Sequence, residues 1–116
     1  MYVAQSVALE VLENLVHMSR QDYPIEYVIV EATIPDHVRI LEYAQFVDAE
    51  APDGVSERRS GDNWLASGAS AVLRVPSFVA PREWNYLINP KHLDFAQLKI
   101  EPPVPMRFDE RLFERR

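Results

Sequence analysis

Residues 60–90 read SGDNWLASGASAVLRVPSFVAPREWNYLINP, and the reading of this stretch decides the fold. Ser70–Val75 is short, apolar and β-branched, which predicts a strand. Pro76 is its expected stop, because proline has no N–H to give to a ladder. Glu83–Ile88 predicts a second, aromatic strand closed by Asn89-Pro90. Ahead of both, Ser60 or Asp62 is placed to cap a short helix through Asn63–Ser67 that Gly68 ends. Large aromatics (Trp64, Phe78, Trp84, Tyr86) stand beside polar side chains (Asp62, Asn63, Ser67, Ser70, Ser77, Asn85), the mixture that lines small-molecule pockets. The remaining elements are expected to pack around this stretch.

Toward the amino terminus, Tyr2–Ala4 reads as a short strand. Ser6 is a good N-cap, and Val7, Ala8, Val11, Leu12, Leu15 and Val16 recur at helical spacing, so a helix is expected from residue 6 to about 19. Asp22-Tyr23-Pro24 breaks it. Ile25–Ile34 predicts one mostly buried strand, His37–Phe46 fits either a strand or a short helix, and Asp48–Arg59 is the most loop-like segment. Toward the carboxy terminus, Lys91–Gln97 reads as a turn or short helix and Leu98–Glu101 as a last strand. Pro102–Pro105 reads as an extended connector, and Phe108–Phe113 as a final helical turn.

The bulk properties bound the function. A chain of 116 residues is expected to form one domain. Its net charge of −6 argues against sequence-independent grip on nucleic acid, which needs clustered Lys and Arg. Arg58-Arg59 and Arg115-Arg116 are flanked by acids and read as solvated surface. The absence of cysteine removes disulfides, thiolate metal sites and cysteine nucleophiles, and fits a reducing compartment. No basic leader and no membrane-length apolar run is present, so a cytoplasmic protein with no membrane partner is the expectation.

Several residues are candidates for chemistry, each with a plainer alternative. Glu13 and His17 stand at i, i+4 on one helix face, but His37 and His92 lie in unrelated segments, so an ordinary exposed pair and no metal is the reading. Glu13 beside Leu9 and Leu12 is a carboxylate that can meet positive charge on a sugar carbon, or simply face solvent. Ser77, just past a strand and a proline, can project into a cleft or cap a turn; it lacks the context of a hydrolase nucleophile. Trp64, Trp84 and Tyr86 can stack on a base or fill the core. Gly54, Gly61 and Gly68 do not make a phosphate-binding loop.

The run GDNWLASGASAVLRVPSFVAPREWNYLINPKHLDF (61–95) closely resembles the carboxy-terminal signature of the RES-domain family, the toxins of bacterial RES–Xre toxin–antitoxin pairs. YVAQSVALEVLENLVH (2–17) is similar to the family's tyrosine strand and glutamate helix, and KIEPPVPMRFDERLF (99–113) to its end. The resemblance implies a compact α+β domain over residues 1–116, related to ADP-ribosyltransferases, with a mixed sheet and short flanking helices. It implies an enzyme that degrades NAD+ at the nicotinamide–ribose bond, with NAD as substrate, no metal, and an Xre-like antitoxin as partner. Glu13, Ser77 and Tyr2 are then the catalytic residues, with Glu10 the competing glutamate, and Tyr2, Ser77 and Asn85 contact NAD. The family's arginine lies upstream of the tyrosine strand and has no match here, so an amino-terminally shortened form is expected. The alternative is a catalytically impaired remnant that binds an Xre-like partner or forms a homo-oligomer.

Overall fold

β5 (Val72–Pro76) and β6 (Trp84–Ile88) are the inner strands of a four-stranded sheet. In this computed structural model, which describes residues 1–17, 26–47, 55–107, 109 and 111, β1 (Tyr2–Ala4) lies antiparallel to β6, and β4 (Ile40–Glu42) lies parallel to β5. The order β1-β6-β5-β4 with one parallel pair makes the sheet mixed, and with its two helices the chain is α+β. Strand alternation gives the sheet two distinct faces.

The first face carries Leu41, Leu73, Val75, Asn85, Leu87 and Tyr2, as the paired positions dictate. Helix α2 (Val55–Ser67) packs on it: Trp64 is buried against Leu41 and Leu73, with Phe46, Val75 and Leu87 around them. The indole Nε1 donates to Ser70 Oγ at 2.9 Å, and that hydroxyl donates to the Val72 carbonyl at 2.7 Å, so the end of α2 is fastened to the start of β5. The second face buries Val72 and Ile88 with Val38, Ala71 and Leu98, flanked by Val3, Ile34, Tyr86 and Phe95. Fully burying side chains such as Leu73 and Ile88 stabilises by roughly 1.5–3 kcal/mol each.

Helix α1 (Val7–His17) starts where predicted. Ser6 Oγ accepts from the Leu9 N–H at 3.1 Å, the expected cap. Gln5 locks the entry to the helix: its N–H donates to the Trp84 carbonyl, and its Oε1 accepts from the Trp84 N–H at 2.8 Å. The helix axis is thereby fixed relative to β6. Leu9 and Glu13, one turn apart, are the side chains it buries.

Four expectations need correcting. The single strand foreseen over Ile25–Ile34 is two short ones, β2 (Glu26–Ile29) and β3 (Ala32–Thr33), pairing with β8 (Val104–Arg107) and β7 (Lys99–Ile100) respectively. The ladder is interrupted opposite Pro102-Pro103, which have no N–H to give, and Val28 and Val30 face solvent instead of the core. Val104 and Pro105, read as connector, belong to β8, where proline is tolerated because the ribbon has only two strands. Helix α2 begins at Val55, within the segment read as loop, and runs through Ser60 and Gly61 in place of being capped there. Pro76 is the last residue of β5, paired with Trp84, where a stop before it was expected.

Other expectations hold in outline. Gly68 ends α2 at φ 61°, a left-handed position that favours glycine. His37–Phe46 contains both alternatives, β4 and then a 3-10 turn over Tyr43–Phe46. A second 3-10 turn spans Leu93–Gln97. The side chain of His17, the breaker at Asp22–Pro24, the segment Asp48–Gly54 and most of Phe108–Phe113 lie outside the described residues.

Candidate active site

Four residues far apart in sequence meet under α1. Glu13 projects from the helix onto the first face, where β6 presents Asn85 and the chain leaving β5 presents Ser77. Ser77 Oγ donates to Glu13 Oε1 at 2.7 Å, and Asn85 Nδ2 donates to the same oxygen at 2.7 Å. Asn85 Nδ2 gives its second hydrogen to the Tyr2 hydroxyl at 2.6 Å. The four residues expected to form the site are thus joined in one hydrogen-bonded chain.

The local sequence explains each position. Ser77 is held by its own backbone, with its N–H donating to the Glu83 carbonyl at 2.9 Å, while its Oγ accepts from the Ala80 N–H at 3.0 Å. One hydroxyl thus accepts from the loop and donates to the carboxylate. Asn85 lies opposite Ala4 and next to Val75 in the ladder, so its side chain must point to the helix-covered face. Tyr2 is paired with Leu87, one two-residue step along the same face, and its ring reaches back to the Asn85 amide.

Burial gives the arrangement its electrostatic character. Glu13, Ser77 and Asn85 are 9 %, 4 % and 0 % exposed, and no cation is bonded to Glu13 among the described residues. A buried carboxylate held only by neutral donors keeps an unbalanced negative charge, the condition under which it interacts most strongly with a nearby positive centre. Both bonds converge on Oε1, so Oε2 takes no hydrogen bond from the described residues. The orientation of the Asn85 amide follows from the same charge: with the amide turned over, Oδ1 would face the carboxylate. Asn85 Oδ1 consequently has no partner among the described residues.

Tyr2 links this interior to the surface. Its hydroxyl accepts from Asn85, while the residue as a whole is half exposed. Burial of the phenol, then the charges of Glu13 and Glu10, push its pKa up to about 12, so it is a neutral hydroxyl at physiological pH. Tyr2 also lines a groove of about 650 Å³ together with Glu10, Glu31 and Glu101. Glu10, the competing glutamate, is half-buried, accepts from Asn14 Nδ2 at 3.3 Å, and bonds to neither Ser77 nor Asn85.

The aromatic residues considered as stacking platforms do other work. Trp64 is core. Trp84 lies on the second face beneath Arg74, whose guanidinium sits 4.1 Å from the ring centroid and forks onto Glu42 at 2.8 and 3.0 Å. Tyr86 packs against the second-face core. Sequence reasoning gave no sign of this Arg74–Glu42–Trp84 cluster, because its members come from three strands whose pairing is a tertiary fact.

Comparison with known proteins puts this geometry in context. A family model described as the RES domain matches residues 1–109. The chain is 34 % identical over 123 residues to a protein of Sphingobium sp. named Prs ADP-ribosylating toxin, covering 98 % of this chain and 74 % of the relative. It is 33 % identical over 115 residues to a protein named Toxin Res of Yersinia enterocolitica, covering 96 % of this chain and 76 % of the relative. A Toxin Res of Pseudomonas putida is 29 % identical over 116 residues, with 97 % and 78 % covered.

Proposed function

The chain belongs to the RES domain family, and from that premise we propose that it is the toxin of a toxin–antitoxin pair and acts by cleaving the nicotinamide–ribose bond of NAD+. The observation that carries the reading is the Glu13 carboxylate, buried, bonded to Ser77 and Asn85, and left with one oxygen uncommitted. Breaking that bond moves positive charge from the pyridinium onto the ribose carbon as neutral nicotinamide departs. A fixed anion beside the ribose stabilises this transition state more than the ground state. Ser77 and Asn85 aim the carboxylate, and Tyr2, with its proton retained, offers a hydroxyl to the ribose or nicotinamide amide.

The names of two relatives support the substrate: an ADP-ribosylating toxin uses NAD as its donor, and toxins called Res point to an antitoxin partner, for which we propose an Xre-like protein. Water as acceptor gives hydrolysis, and a protein side chain gives ADP-ribosyl transfer. We propose a cytoplasmic site of action, where NAD+ is available; no described helix is long and apolar enough to cross a membrane.

The test is release of nicotinamide from NAD+ by the chain, compared with its Glu13→Ala variant. Turnover that disappears with Glu13 supports the reading. No turnover, or turnover indifferent to Glu13→Ala, sinks it, and retained binding of an antitoxin without NAD+ loss would favour the non-catalytic alternative.

A further inference from the structure

β1 is an edge strand of the four-stranded sheet, and its bonds to β6 show which of its backbone groups are already used. Met1 and Ile88 exchange both bonds, at 2.9 and 2.7 Å, and the Gln5 N–H donates to the Trp84 carbonyl at 3.2 Å. In an antiparallel ladder bonded and unbonded pairs alternate, so Met1, Val3 and Gln5 turn their backbone polar groups toward β6. Tyr2 and Ala4, opposite Leu87 and Asn85, turn theirs away. Neither residue's N–H or C=O has a hydrogen-bond partner among the described residues.

The groove of about 650 Å³ runs along this open edge: residues 2–5 form one wall, and residues 28–32 with Val104 and Met106 form the other. β1 does not pair with the β2–β8 ribbon, which is a separate two-stranded sheet. Val28, Val30 and Val104 leave more than half of their surface exposed there. A strand edge with unused donors and acceptors, facing a second and apolar wall, is the geometry that takes an added strand. Charge selects which strand. The charged lining residues are Glu10, Glu31 and Glu101, and no Lys, Arg or His is among the described residues that line the groove. Glu101 is answered by Lys99 at 3.2 Å, but Glu10 is held only by the neutral Asn14 amide, and Glu31 has no cationic partner among the described residues. Such a groove favours a segment carrying Lys or Arg and repels an acidic one.

We infer that this groove docks an extended, basic segment of a protein that accepts the ADP-ribosyl group, the segment pairing with β1 as an added strand. This rests on the NAD+ reading above and commits it to a protein acceptor. Tyr2 belongs to both places: its backbone faces the docked strand, and its hydroxyl accepts from Asn85, which also donates to Glu13. In the transfer the bond from the ribose carbon to the nicotinamide nitrogen breaks, and its electron pair leaves on nicotinamide. A nucleophilic oxygen or nitrogen of the segment bonds to the ribose carbon, and its proton passes to the Glu13 carboxylate.

Two variants test the groove from its two walls. Ala4→Pro removes an N–H that β6 does not use, at an edge position where proline is tolerated, and Glu31→Lys reverses a charge on the opposite wall. Melting temperatures verify that each variant folds. The probe is the acetylated and amidated peptide Lys-Val-Thr-Val-Arg, with Glu-Val-Thr-Val-Glu and a backbone N-methylated form of the probe as controls. Affinity is read by calorimetry and, with NAD+ present, gain of an ADP-ribosyl group by mass spectrometry. The basic peptide is expected to bind and be labelled and the controls are not; Ala4→Pro weakens binding about tenfold and Glu31→Lys about fivefold. No binding, equal binding of a control, or an affinity unchanged in both variants overturns the docking site. A peptide that binds yet stays unlabelled while nicotinamide is released overturns the acceptor role, and one that suppresses the release makes the occupant a blocking segment instead. Variant-sensitive binding by a chain that releases no nicotinamide refutes the cleavage reading and upholds the docking site.

Discussion

Glu13 and Glu42 are carboxylates on opposite faces of one four-stranded sheet, and their surroundings could hardly differ more. Glu42 is partly exposed and grips Arg74 with both oxygens, and that guanidinium is seated in turn over Trp84. Glu13 is buried and has two neutral donors on a single oxygen. The first arrangement is complete in itself: each charge has its partner, and nothing remains for a ligand. The second is incomplete, because burying an unpaired charge costs free energy that two hydrogen bonds recover only in part. Such an uncompensated site is what a reaction that develops positive charge requires.

The largest disturbance of this contrast comes from giving Glu13 a like-charged neighbour. Asn85→Asp places a second carboxylate against Glu13 at the present 2.7 Å contact, and is expected to destabilise the fold by about 3–5 kcal/mol at neutral pH, as read by denaturant unfolding. Repeating the experiment below the carboxylate range should recover much of that loss, since one proton shared between the two groups removes the repulsion.

A smaller effect is expected at Tyr2. Its pKa is raised from 10.0 to about 12, so the folded state holds the phenolic proton after the unfolded state has released it. The stabilisation is complete below pH 10 and is lost as pH rises through 12. A spectrophotometric titration should show a late phenolate step that Tyr2→Phe removes. The smallest effect belongs to the self-contained face: Arg74→Ala should cost at most about 1 kcal/mol, since the pair is part-exposed, and leave nicotinamide release unaltered.

How far all this was legible in the sequence differs by scale. The elements set by local chemistry were readable: the Ser6 cap, the apolar spacing of α1, the Gly68 stop, and the two strands flanking Ser77–Arg82. What depended on partners was not. The break between β2 and β3 is imposed by Pro102-Pro103, some seventy residues on, and the early start of α2 overrode a segment that reads as loop. Glu13, Ser77, Tyr2 and Asn85 were named through a family resemblance, and the residues alone left Glu13 as readily a surface group. That one carboxyl oxygen would receive both Ser77 and Asn85 is a matter of register, since Asn85 faces α1 only because β6 pairs Leu87 with Tyr2.

The contrast between the two glutamates is tested most directly by making the same isosteric change at both. Nicotinamide release from NAD+ is measured for Glu13→Gln and Glu42→Gln, with the melting temperature of each. Glu13→Gln is predicted to lose on the order of 10²–10³-fold in turnover with a melting temperature equal to or above that of the parent, because a buried unpaired charge has been removed. Glu42→Gln is predicted to keep full turnover. Equal losses in the two variants, or a Glu13→Gln protein that retains turnover, would contradict the account.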